Sequence, residues 1–160
     1  MLFIGLIAKK KDVQSIRKDI KEKEIEIIEI KENNIENLKN IKFEEIIFLD
    51  DINLKENEYI FLKELIQNSK HLIINTDISI NILRKIGIEK PIKIITFGFN
   101  SKATITISSI KENKVMIFIQ RDIMIAEQKR IETQEKEIKL ENNEKIYNKI
   151  VTFIIKELHN

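Results

Sequence analysis

The chain has 160 residues, 42% hydrophobic and 34% charged, with three glycines, one proline and no cysteine. This length suits one domain with a sizeable core, and the apolar fraction excludes disorder. The lack of cysteine excludes a disulfide framework, a thiol nucleophile and a thiolate metal site, and two histidines, His71 and His159, cannot form an all-histidine zinc site.

The net charge is +2 with both signs interleaved, far from the balance of a nucleic-acid module. No apolar run approaches the roughly 20 residues of a membrane span. The first lysines follow the opening apolar run, which reverses the order of a signal peptide. The expectation is a cytoplasmic protein with no nucleic-acid partner and no membrane insertion. Isoleucine makes up about a quarter of the residues, a skew that fits AT-rich coding and says nothing of function.

Leu2–Ala8 is a continuous apolar run of strand length, the mark of a strand buried on both faces. Asp12 is placed as N-cap of an amphipathic helix carrying Val13, Ile16 and Ile20 on one face. Glu24–Ile30 reads as a second strand, whose outward glutamates suit a sheet edge. A short helix through Ile35 and Leu38 leads to a buried strand at Glu45–Leu49. A helix at Glu56–Gln67, a strand at His71–Asn75 and a short helix at Ser79–Ile86 follow. Gly87 is the expected left-handed stop of that helix, and Pro91 opens a fifth strand over Ile92–Phe97. Each connection is long enough for a crossover, so a mainly parallel five-stranded sheet with helices on both faces is predicted.

Past Phe99 the pattern changes. Residues 103–110, 115–120 and 135–140 read as three strands with Lys129–Arg130 in a connection, which predicts a small separate antiparallel sheet. Glu144–Leu158 closes the chain as a helix with Ile146, Ile150, Phe153 and Ile154 inward. No linker-like stretch interrupts the chain, so 1–160 is read as one α/β unit, 1–100 being its parallel part and 101–160 its antiparallel part.

In open parallel sheets ligands gather at the carboxyl ends of the strands. After the first strand stands Ala8-Lys9-Lys10-Lys11, without the glycines of a Walker loop or of a dinucleotide fingerprint. The lysines suit a solvated loop or first helical turn. Asp50 or Asp51, Thr76 and Lys102 fall in the order of a response-regulator receiver, but three lysines stand where its acidic pair would hold magnesium. Asp50 and Asp51 are therefore read as solvated strand-end residues. No serine lies in a nucleophile elbow. Arg121-Asp122 reads as a local ion pair, His71 as a partly exposed boundary residue, and Phe97 and Phe99 as core packing.

Leu72-Ile73-Ile74-Asn75-Thr76-Asp77, followed by a short helix and Ile95-Thr96-Phe97-Gly98, resembles the late part of a Mur ligase central domain, best over residues 70 to 120. The resemblance implies an α/β domain ending in a small antiparallel sheet, and a link to peptidoglycan precursors. The family's Gly-Thr-x-Gly-Lys-Thr phosphate loop is absent, and 160 residues leave no room for its substrate-binding and closing domains. Acyl-phosphate formation needs the phosphate, metal and acceptor held together. A non-catalytic binding or interaction module is therefore expected, with no cofactor, no metal and no catalytic residue, and with a protein partner or self-association open. Asn75, Asp77, Asn100 and Lys102, polar and at strand ends, are the candidate ligand-binding residues. A small nucleotide-dependent ligase-like enzyme completed by a partner chain, or a receiver-like signalling domain, is the alternative.

Overall fold

A computed structural model describes residues 1–79, 81–141 and 143–160. Five parallel strands come first: β1 (Leu2–Ile7), β2 (Ile25–Glu29), β3 (Glu45–Phe48), β4 (His71–Asn75) and β5 (Lys93–Gly98). Between them lie α1 (Lys10–Asp19), a 3-10 helix (Ile35–Leu38), α2 (Glu58–Gln67) and α3 (Ile82–Ile86). The strands β6 (Ile105–Lys111), β7 (Lys114–Ile119), β8 (Ile123–Ala126), β9 (Lys129–Ile131) and β10 (Gln134–Lys139) precede the last helix, α4 (Ile146–Leu158).

One sheet of eight strands runs in the order β10-β7-β6-β5-β4-β3-β1-β2. The expected separate antiparallel sheet is instead its continuation, because β6 pairs in parallel with β5 before turning antiparallel to β7 and β10. Parallel neighbours ordinarily need a long crossover. Here six residues suffice, because β6 starts where β5 ends: only Phe97↔Ile105 and Gly98↔Thr106 pair. The separate sheet is a hairpin of β8 and β9, so Lys129 and Arg130 are strand residues and not a connection.

The continuous apolar runs divide by pleat between two cores. Ile47, Leu49, Ile73, Ile95 and Phe97 pack on one face with α1 and α4, which bring Val13, Ile16, Ile150 and Ile154. Ile46, Phe48, Leu72 and Ile74 pack on the other with Ile35, Leu62, Ile66 and Ile82. At about 1.5–3 kcal/mol for each fully buried Ile, Leu or Phe side chain, both layers are needed to offset chain entropy. As the glutamates suggest, β2 lies at an edge with Glu26 exposed. The alternation along β6 slips at Ser108 because a bulge lies between Ile107 and Ser109.

Asp12 does not cap α1. Lys9 occupies the N-cap position without a side-chain bond, while Asp12 lies buried in the first turn. Its carboxylate accepts from Asn148 Nδ2 at 3.0 Å and pairs with Lys145 at 3.0 Å. Lys149 reaches Asp19 at 3.2 Å and Glu144 at 2.8 Å, so polar contacts fix α4 against α1 over their shared apolar face. The expected helix at Ser79–Ile86 is resolved as Ile82–Ile86, and Ile80 lies outside the described residues. Gly87 ends it at φ +63°, the left-handed conformation expected. No helix of the described residues is long and apolar enough to cross a membrane.

Candidate functional site

The carboxyl ends of β4 and β5 bring two of the four candidate residues together. Asn75 is fully buried, donates Nδ2–H to the Leu49 carbonyl at 3.2 Å and accepts the Asp77 N–H on Oδ1 at 3.0 Å. Asp77 in turn accepts the Phe99 N–H at 2.8 Å and the Tyr147 hydroxyl at 2.7 Å on Oδ2. Gly98 lets them meet, because a Cβ there would lie 2.7 Å from Asp77 Oδ2, at φ +148°. Burial, then the bond to Asp77, pushes the Tyr147 phenol up to about 12. Phe97 is fully buried as expected, but Phe99 is half exposed, its ring edge-on to Tyr147 at 6.2 Å.

Asn100 and Lys102 stand apart in their own turn. Asn100 Oδ1 accepts the Lys102 N–H at 2.8 Å, and both side chains lie at the surface. Arg121 does not pair with its neighbour Asp122. Its Nη2 donates to the Lys102 carbonyl at 2.9 Å and to Thr104 Oγ1 at 3.3 Å. Asp122 accepts from Thr133 and pairs with Arg130 at 3.5 Å across the β8–β9 hairpin. Thr76, the receiver-like hydroxyl, donates to the Phe97 carbonyl at 3.2 Å. The motif residues Asn75, Thr76 and Asp77 thus bond chiefly to the chain itself.

A crevice opens elsewhere at the same end of the sheet. The strand order 2-1-3-4-5 reverses at β1, and in such sheets the crevice beyond β1 and β3 is the place for ligands. A cavity of about 280 Å³ lies there. Its charged lining is Glu29, Glu32, Asp50 and Asp51 against Lys9 and Lys31, four acids to two bases. Lys31 pairs with Glu29 at 3.5 Å, and Lys10 and Lys11 are exposed in the first turn of α1. None of Gly5, Gly87 and Gly98 lines the cavity, so no glycine backbone is available to wrap a phosphate chain.

At the opposite end of the parallel strands stands a group that sequence patterns do not disclose. Glu45, buried at the start of β3, faces both histidines of the chain. His159 Nε2 lies 2.7 Å from Glu45 Oε2, and His71 Nδ1 lies 3.6 Å from Glu45 Oε1. His71 is 2% exposed and not the boundary residue expected, because β4 begins directly under the β8–β9 hairpin. Its Nε2 contacts the Met124 carbonyl at 3.1 Å. Burial alone would raise the Glu45 carboxyl, but the bond from His159 and the attraction of His159 and His71 outweigh it and hold the group below its ordinary value. The bond to Glu45 raises His159 above the ordinary imidazole value, against burial. Among the described residues no group of three or more His, Asp or Glu side chains is disposed to hold a metal ion.

Neither a protein-family model nor a curated protein matches this chain.

Proposed function

We propose that the chain is a non-catalytic, cytoplasmic binding module that takes a small polar ligand in the crevice beyond β1 and β3. The observation that carries this is the crevice itself, a cavity at the reversal of strand order lined by four acids, two bases and no glycine. Such a lining disfavours a nucleoside triphosphate, since the carboxylates repel phosphate and no glycine lines the cavity. A ligand bearing a cationic group suits the excess of carboxylates.

The same inventory favours a module resembling a shortened Mur ligase central domain over a ligase completed by a partner. The Asn75-Thr76-Asp77 and Thr96-Phe97-Gly98 segments meet through Asp77 and the Phe99 N–H, and this joins the two pieces on which the resemblance rests. A role near cell-wall metabolism and a protein partner follow from that resemblance alone. The test is calorimetric titration with ATP and magnesium at millimolar concentration, alongside NMR mapping of a panel of small amines and amino acids. Expected are no heat from nucleotide and amide shifts at Ala8, Lys9, Asp51 and Ile52 with a cationic probe. Micromolar nucleotide binding overturns the proposal.

The strand order and the place of Asp50 and Asp51 at the end of β3 also favour a receiver-like signalling domain. That domain would trap a phosphoryl group on one of these aspartates with magnesium. Incubation with a small phosphoryl donor and magnesium, followed by intact-mass analysis, separates the two. A gain of one phosphoryl group lost in Asp50→Asn or Asp51→Asn decides for the receiver.

A further inference from the structure

We propose that His71, Glu45 and His159 form a proton-binding site that fastens the β8–β9 hairpin and the end of α4 to the amino-terminal end of the sheet. The hairpin, and with it the cavity along β5, opens as the site loses its proton.

The chemistry of the His71 ring carries this. The Met124 carbonyl can only accept, so the hydrogen in that contact must sit on Nε2. The other nitrogen, Nδ1, then faces Glu45 Oε1 at 3.6 Å and has no closer partner. A ring carrying both hydrogens satisfies the carbonyl and the carboxylate together. A neutral ring must turn a lone pair on the buried carboxylate or give up Met124. His159 holds only Oε2, so a ring lone pair set against Oε1 is a costly buried contact, and the chain yields at its weakest point. That point is the hairpin, which forms a two-stranded sheet of its own and, among the described residues, pairs with no strand of the main one.

No other cation reaches Oε1, the oxygen that faces His71, among the described residues. His159 comes from the end of α4 and shares Glu45. Glu44, next along the chain, is paired with Lys70. Lys129 of β9 donates to the Asn160 carbonyl and so links hairpin to chain end. Glu22, Lys23 and Glu24 line the small cavity beside His159. On the hairpin side Lys93, Arg121 and Asp122 line a cavity of about 270 Å³, with His71 in its wall. Asp122 is engaged with Thr133 and Arg130, and no ion pair joins Lys93 or Arg121 to His71 or Glu45 among the described residues. Below β6 the β5 edge at Lys93–Ile95 has no strand neighbour, so the hairpin is what closes it.

The test is amide hydrogen exchange of the whole chain between pH 6 and 8.5, corrected for intrinsic rates, with the histidine rings followed by NMR. Expected is a fall of about tenfold in protection at residues 123–131 and 158–160, tracking one ring transition, while β3 and β4 are unchanged. His71→Gln keeps a side-chain N–H for Met124 without a titrating ring, and should make hairpin protection independent of pH. Glu45→Gln should abolish the dependence at both segments. Should that variant fail to fold, His71→Gln and His159→Gln decide, the first removing the hairpin response and the second sparing it. A hairpin whose protection is flat with pH, or falls equally in His71→Gln, overturns the proposal.

Discussion

Gly98→Ala probes the contact that joins β4 to β5 at their carboxyl ends. Alanine at φ +148° is strained by about 1–3 kcal/mol. Its Cβ would also meet the Asp77 carboxylate at 2.7–2.9 Å, closer than real contacts allow. Moving that carboxylate forfeits its bonds from the Phe99 N–H and the Tyr147 hydroxyl, worth about 0.5–1.5 kcal/mol each at this partly exposed place. The sum is about 2–6 kcal/mol, a large part of an ordinary domain's stability. Urea unfolding followed by circular dichroism should show the midpoint lower by about 1–3 M at a slope of about 2 kcal/mol/M. In an Asp77→Ala background the clash and the two bonds are already gone, so the same glycine substitution should cost about 1–3 kcal/mol less. A single-variant loss below about 0.5 kcal/mol, or equal losses in both backgrounds, refutes the assignment.

Asn75→Ala leaves the Leu49 carbonyl and the Asp77 N–H without partners in a fully buried place, and unfolding should register about 2–3 kcal/mol of destabilisation. Lys102→Ala should shift stability by less than about 0.5 kcal/mol, because its side chain is exposed and only its backbone is bonded. Absorbance at 295 nm should show one tyrosine ionising at about 12, and Tyr147→Phe should remove that step. Stability against pH follows from the shifted groups. His159, raised when folded, stabilises fully below its unfolded value of about 6.5 and loses that contribution as pH rises through the folded one. Glu45, lowered when folded, stabilises above about 4.5 and loses it as pH falls. Thermal melts should therefore be highest between roughly pH 4.5 and 6.5, and His159→Gln should flatten the alkaline side.

The parallel half of the fold is legible in the sequence because β1, β3 and β4 are buried on both faces and read as unbroken apolar runs. The join of β6 to β5 is not, since two residue pairs with a six-residue loop leave no pattern that separates a continued sheet from a new one. The hairpin escapes notice because β9 is three residues long and only Ile131 of it is buried. Polar residues at strand ends identify Asn75 and Asp77 as a pair but not their inward bonding, which depends on Leu49 and Tyr147 from distant segments. The histidine site is hidden for the same reason, as 114 residues separate Glu45 from His159. A glutamate opening the apolar run Ile46–Leu49 was its one trace in the sequence. Glycine content speaks more directly: of the three glycines none lines the crevice, so a glycine-rich phosphate loop is absent there.

The central claim is a ligand site without nucleotide chemistry, and calorimetry with ATP and magnesium tests it most directly. Expected are no heat of binding at millimolar nucleotide and unchanged amide resonances at Lys9, Asp50 and Asp51. Saturable micromolar binding with shifts at those residues would contradict it.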